Sequence, residues 1–206
     1  MKDMKTWVIL LMFGSLWGFS EVFAGEFLYS QRVPFASVWL SAFALFVLGL
    51  SRGLINRPGS STVIGATAAL FKLANAAPYW CHLLGIAFLG LFFDLAASAW
   101  MKRGQKPGWK TALSGIVAAY GGYASFAVMI TYVARYDPWV RGGTARVLRH
   151  ILVGGSLAAV AAAITVTLGY VIGTRTEKST STEPGWAFAG SLVALIVLWT
   201  LGRVIG

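Results

Sequence analysis

Apolar residues come in long blocks separated by short polar, Gly- or Pro-bearing links. The blocks set the expected helices at about 6–29, 36–51, 62–76, 79–100, 111–134, 147–173 and 186–205. Most approach the roughly 20 residues that carry a helix across about 30 Å of hydrocarbon. They are too long for barrel strands and lack period-two alternation. The pattern predicts an all-α, polytopic integral membrane helix bundle. It has a six-helix core over residues 1–174, a polar linker at 175–185 and an additional C-terminal transmembrane helix over 186–206. No cleavable leader is expected, because the first apolar block begins at Trp7 and no small-residue cleavage site is followed by a soluble domain.

The third block, "STVIGATAALFKLAN", is short and gives way to "AAPYW", where Pro78 biases the chain out of helix. A backbone break at membrane depth needs shelter from lipid, so it marks a candidate site. In the first block Gly14, Gly18, Glu21 and Gly25 are spaced i, i+4, i+7 and i+11, which puts them on one stripe. Glu21 is thereby turned to a packing seam, with Trp17 beside it and a GxxxG close-approach pattern at Gly14 and Gly18. An intramembrane carboxylate is a functional candidate by default, and interhelical glue is the other reading. Counting depth at about 1.5 Å per residue brings Lys72 to a similar level, so the two are expected to pair with each other or with a ligand. Asn75, Tyr79, Trp80, Cys81 and His82 follow around the break. The expected site is an outward-opening cavity. Glu21 and Lys72 are its charged ends, Asn75 and His82 its hydrogen-bonding groups, and Trp17, Tyr79 and Trp80 its stacking walls. Asp94 is expected to bond a neighbouring helix or a loop lysine, Lys102 or Lys106, and Tyr120, Gly121, Gly122 and Tyr123 to interrupt the fifth helix.

Composition agrees with a bilayer: 57% of residues are hydrophobic and 12% charged, and mean hydropathy is +0.71. In that setting the net charge of +10 reports topology and lipid headgroups and no nucleic-acid partner. The larger share of the 17 lysines and arginines falls on the side of the N-terminus, which predicts a multi-pass protein of the cell membrane with a cytoplasmic N-terminus. The dissent comes from "ARYDPWVRGGTARVLRH" at 134–150. Its arginines would lie outside, either steering an anionic nutrient or resting on anionic headgroups. The lone Cys81 excludes an internal disulfide and CxxC redox chemistry. No ligand-spaced metal cluster, GxSxG elbow, HExxH or P-loop occurs, so neither an enzyme, a cofactor nor a metal is expected. His82 and His150, on different helices, leave a bis-histidine haem protein as an alternative. A structural or interaction subunit without a ligand is another.

The glycine-rich "GSLWGFSEVFAGEF", the short "VIGATAALFKLANAAP" and the small-residue "HILVGGSLAAVAAAITVTLGYVIG" together resemble the substrate-capture (S) components of energy-coupling factor (ECF) vitamin transporters, over residues 1 to about 174. The resemblance implies a six-helix protein that captures a small vitamin-like nutrient in an outward-facing pocket. It would deliver the nutrient by toppling against a transmembrane coupling subunit driven by two ATPase subunits. In that family small residues of an AxxxA pattern on the first helix meet the coupling subunit. Gly14 and Gly18 are the nearest equivalents here, and both they and the seventh helix depart from the pattern. The N-terminal Met-His of the nickel and cobalt members is missing, which argues against a metal substrate.

Overall fold

The computed structural model describes residues 2–73, 80–102, 104–179 and 185–205, and among them every regular element is helical. The helices are α1 (Lys2–Ser30), α2 (Ala36–Leu54), α3 (Ser60–Lys72), α4 (Trp80–Trp100), α5 (Trp109–Val128), α6 (Asp137–Arg149), α7 (Ser156–Ser179) and α8 (Gly185–Ile205). A π-helical turn, Met129–Val133, follows α5, and another, His150–Gly155, joins α6 to α7.

Among the described residues, five stretches are long and apolar enough to cross a bilayer: Met4–Ser30, Ala36–Leu54, Cys81–Trp100, Trp109–Val133 and Asp137–Thr176. The fold is a multi-pass membrane helix bundle, as the block pattern predicts. Helix α3 is the short member: its 13 residues extend only about 20 Å at the usual rise. Helix α8 has 21 residues and is apolar over Ala189–Gly202.

Helix contacts close a ring, in the order α1, α3, α4, α5, α7, α2 and back to α1. The core runs along its inside through Trp17, Leu45, Leu48, Ile64, Phe93 and Val166. The most extensive seam, α2 on α7, is backbone against backbone. A Cβ at Gly49 would lie 2.5 Å from the Val166 carbonyl oxygen, and one at Gly53 2.6 Å from that of Tyr170. From the opposite side, Gly169 and Gly173 meet the carbonyls of Phe46 and Leu50 with no room for a side chain. With no hydrophobic drive between helices in lipid, such close approach is a main source of cohesion.

The start of α3 is held by a buried polar clasp. Asp94 of α4 accepts from the Gly59 amide (3.0 Å), the Thr62 amide (2.9 Å) and the Thr62 hydroxyl (2.9 Å), and Ser98 donates to it at 3.0 Å. A carboxylate from a neighbouring helix thus satisfies amides that a helix N-terminus leaves open. Arg52 of α2 completes the clasp, 3.4 Å from Asp94 and only 1% exposed. Asp94 therefore bonds neighbouring helices, as expected, but its cationic partner is Arg52. Lys102 and Lys106 are not bonded to it.

Three boundaries differ from the sequence pattern. Residues Tyr120–Tyr123 stay helical within α5, because Gly121 and Gly122 pack under Phe92 and Leu89. The irregularity falls later, at Met129–Val133. Most of the arginine-rich 134–150 segment, from Asp137 on, is helical, with Pro138 near the start of α6 and a kink at Gly143 (φ 54°). Helix α7 runs on to Ser179, into the segment expected as linker. There Thr174 and Thr176 bond back to the Val171 and Ile172 carbonyls, which lets polar residues stay helical.

Candidate functional site

A cavity of about 900 Å³ lies inside one end of the ring. Its walls come from the C-terminal half of α1, the starts of α2 and α4, the end of α3, the last turns of α5, and α6 with the π-turn after it. It therefore sits at the end of the bundle away from the N-terminus. A volume in this range, with apolar and aromatic walls and a few convergent polar groups, is characteristic of small-molecule sites.

Trp17, Glu21, Lys72 and His82 of the expected site all line this cavity, and so does Cys81. Asn75, Tyr79 and the side chain of Trp80 lie outside the described residues. Trp17 is fully buried and donates its indole N–H to Glu21 Oε1 at 3.1 Å, one helical turn on. Lys72, at the C-terminal end of α3 and 7% exposed, donates from Nζ to the main-chain oxygen of Glu21 at 2.7 Å. The expected neighbourhood of Glu21 and Lys72 exists, but the contact is ammonium to peptide carbonyl and not ammonium to carboxylate. The i, i+4 spacing from Trp17 to Glu21 already occupies one carboxylate oxygen, and α1 presents its carbonyl to the end of α3.

His82 lies 5.9 Å, centroid to centroid, from the Tyr29 ring and stacks on it. His150 is enclosed by aromatic rings: it stacks on Tyr123 at 4.7 Å and meets Phe126 at 5.5 Å and Trp139 at 5.1 Å. Both histidines line the cavity. The two π-turns deliver wall residues, Ile130 from one and His150 from the other. Such turns shift side-chain direction out of the α-helical register and recur at functional sites.

Much of the polar lining was not anticipated. Ser37 and Ser41 on α2 face the cavity beside the buried hydroxyl of Tyr123. Their i, i+4 spacing is a signal the sequence does carry. Tyr29, Phe126 and Trp139 complete the aromatic wall. Of the arginines in the 134–150 segment, Arg146 is the one on the cavity, 4.9 Å above the Trp139 ring and donating to the Pro138 carbonyl at 2.8 Å. Arg141 is instead paired with Asp137, one turn back on α6.

Gly14 and Gly18, expected as a face for a transmembrane partner, carry α3 of the same chain. A Cβ at Gly14 would lie 2.5 Å from Thr67 Cβ, and one at Gly18 would collide with Phe71. The close approach they permit is thus used within the ring. Among the described residues no group of three or more His, Cys, Asp or Glu side chains is placed to hold a metal ion. No protein-family model, curated protein or solved structure matches the chain.

Proposed function

We propose that the chain is the substrate-binding subunit of an ECF-type transporter of the cell membrane, taking a small vitamin-like nutrient into its cavity for uptake driven by partner subunits. The observation that carries this reading is the 900 Å³ cavity, into which an acid, a base, an indole and an imidazole from three helices converge. With the N-terminus in the cytoplasm, the cavity end of the ring is the outer end, the side from which a nutrient arrives. Trp17 and the Tyr29 and Tyr123 rings stack on the guest, Glu21 and Lys72 hold its charged groups, and His82 supplies a further hydrogen bond. The chain has no phosphate-binding loop, so ATP hydrolysis belongs to two ATPase partners acting through a transmembrane coupling subunit. No chemistry on the nutrient is assigned to this chain.

The test is to purify the protein gently, denature it and identify what it releases by mass spectrometry and absorption. A stoichiometric small nutrient is the expected result. An empty protein holding only lipid and tight partner chains would overturn the reading in favour of an interaction subunit. A second reading keeps one supporting observation, because His82 and His150 line the same cavity. Haem held between them would give a Soret band in the same spectrum. The rings packed on His150 weigh against it, since ligation would have to displace them.

A further inference from the structure

We propose that the cavity selects an aromatic zwitterion: a planar-ring compound whose protonated nitrogen and acidic group sit close together on one short substituent. The proposal rests on the capture reading above and names the substrate class of that site. It starts from how Glu21 and Lys72 are placed. The Lys72 ammonium is fastened to the Glu21 main-chain oxygen at 2.7 Å, while the Glu21 carboxylate accepts from Trp17. Among the described residues no ion pair joins Lys72 to a carboxylate. An ammonium has three protons to donate and a carboxylate about four acceptor positions, so each keeps capacity toward the cavity. Opposite charges are therefore side by side without being spent on each other.

That arrangement discriminates by charge. A cationic guest at Glu21 meets Lys72, and an anionic guest at Lys72 meets Glu21, so a singly charged compound gains one contact and suffers one repulsion. A compound with both charges on neighbouring atoms satisfies both groups. The remaining charged lining residues, Glu26 and Arg146, are exposed and opposite in sign, so they add no net charge to the lining. The rest of the cavity suits a ring. Tyr29, Tyr123, Phe126 and Trp139 offer aromatic surfaces, and the Tyr123, Ser37 and Ser41 hydroxyls lie together on the lining, placed for a polar ring substituent.

Four probes that share the indole ring and differ only in charge test this: L-tryptophan (zwitterion), tryptamine (cation), indole-3-propionate (anion) and indole (neutral). Each is titrated calorimetrically into the full chain in lipid nanodiscs. L-tryptophan is expected to bind at least about tenfold tighter than each of the other three, the size of one charge-assisted contact. Glu21→Gln should cost about tenfold for L-tryptophan and tryptamine while sparing indole-3-propionate, and Lys72→Gln should cost about tenfold for L-tryptophan and indole-3-propionate while sparing tryptamine. Both variants keep a hydrogen-bonding side chain, and thermal melting checks that they fold. The proposal is overturned if a singly charged or neutral probe binds as tightly as L-tryptophan, or if L-tryptophan does not bind at millimolar concentration. It is also overturned if both variants weaken all four probes alike. The capture reading is judged separately by the released compound: a stoichiometric neutral or singly charged nutrient would keep that reading and remove this one.

Discussion

Asp94 and Glu21 are both acids on membrane helices, and their surroundings give them different work. Every bond of Asp94 is made within the fold: it binds two amides, two hydroxyls and the Arg52 guanidinium. Glu21 makes one side-chain hydrogen bond and turns the rest of its carboxylate to a cavity. A fully satisfied polar cluster specifies structure, and the open capacity of Glu21 is what the proposed capture reading uses. Asp94→Ala would leave Arg52 buried without its counter-charge and is expected to cost about 3–5 kcal/mol, whereas Asp94→Asn keeps one acceptor oxygen for part of the clasp and should cost less. Reversible unfolding in a mixed-micelle denaturant titration measures both. Equal losses for the two variants would mean that the charge of Asp94 matters and its acceptor geometry does not.

Helices pack here by removing side chains as much as by fitting them. At the α2–α7 seam, glycines on each helix face carbonyls on the other, so the axes can close to near backbone contact. Gly169→Val would drive a branched side chain into the Phe46 carbonyl. It is expected to destabilise the ring by about 1–3 kcal/mol, or more if the helices cannot part. Gly190→Ala on α8, where a Cβ meets nothing within 4 Å, is the matched control and should be neutral or slightly stabilising. Thermal melting of the two variants side by side separates the seam from a general helix-propensity effect. This scale also shows what the sequence reveals. The long helices and the short α3 follow from apolar block lengths, because burial in lipid leaves few alternatives. The glycine stripe correctly places Glu21 on an inward face. What it does not reveal is which helix fills the Gly14 and Gly18 groove, since a small residue specifies close approach without naming the partner. Helix α6 escapes for a related reason: its arginines and Gly143 read as loop until Pro138 and the π-turn dock it over the cavity.

For the molecule as a whole, the ring and α8 are separable in kind. Helices α1 to α5, with α6 and the π-turn after it, wall the cavity, and no described residue of α8 lines it. Helix α8 lies along α1 from outside, joined by the Trp199 indole to Ser15 (2.9 Å) and by Trp199 stacked at a tilt on Phe71 (4.8 Å). Gly202 gives way to the same Phe71 ring. One hydrogen bond and one aromatic pair contribute on the order of 1 kcal/mol each, small beside the seams that close the ring. The interior face of Phe71 and the carbonyl of Glu21 that receives Lys72 belong to the ring itself, so they do not need α8 to hold their places. Truncation after Ser179 is therefore expected to leave ligand affinity within about twofold of the full chain while lowering the melting temperature by about 2–8 °C. Calorimetric titration and melting of the truncated chain in nanodiscs read both numbers. Lost affinity with an unchanged melting temperature would place α8 in the binding machinery, and would mean that the packing of Phe71 on Trp199 reaches Lys72 through α3.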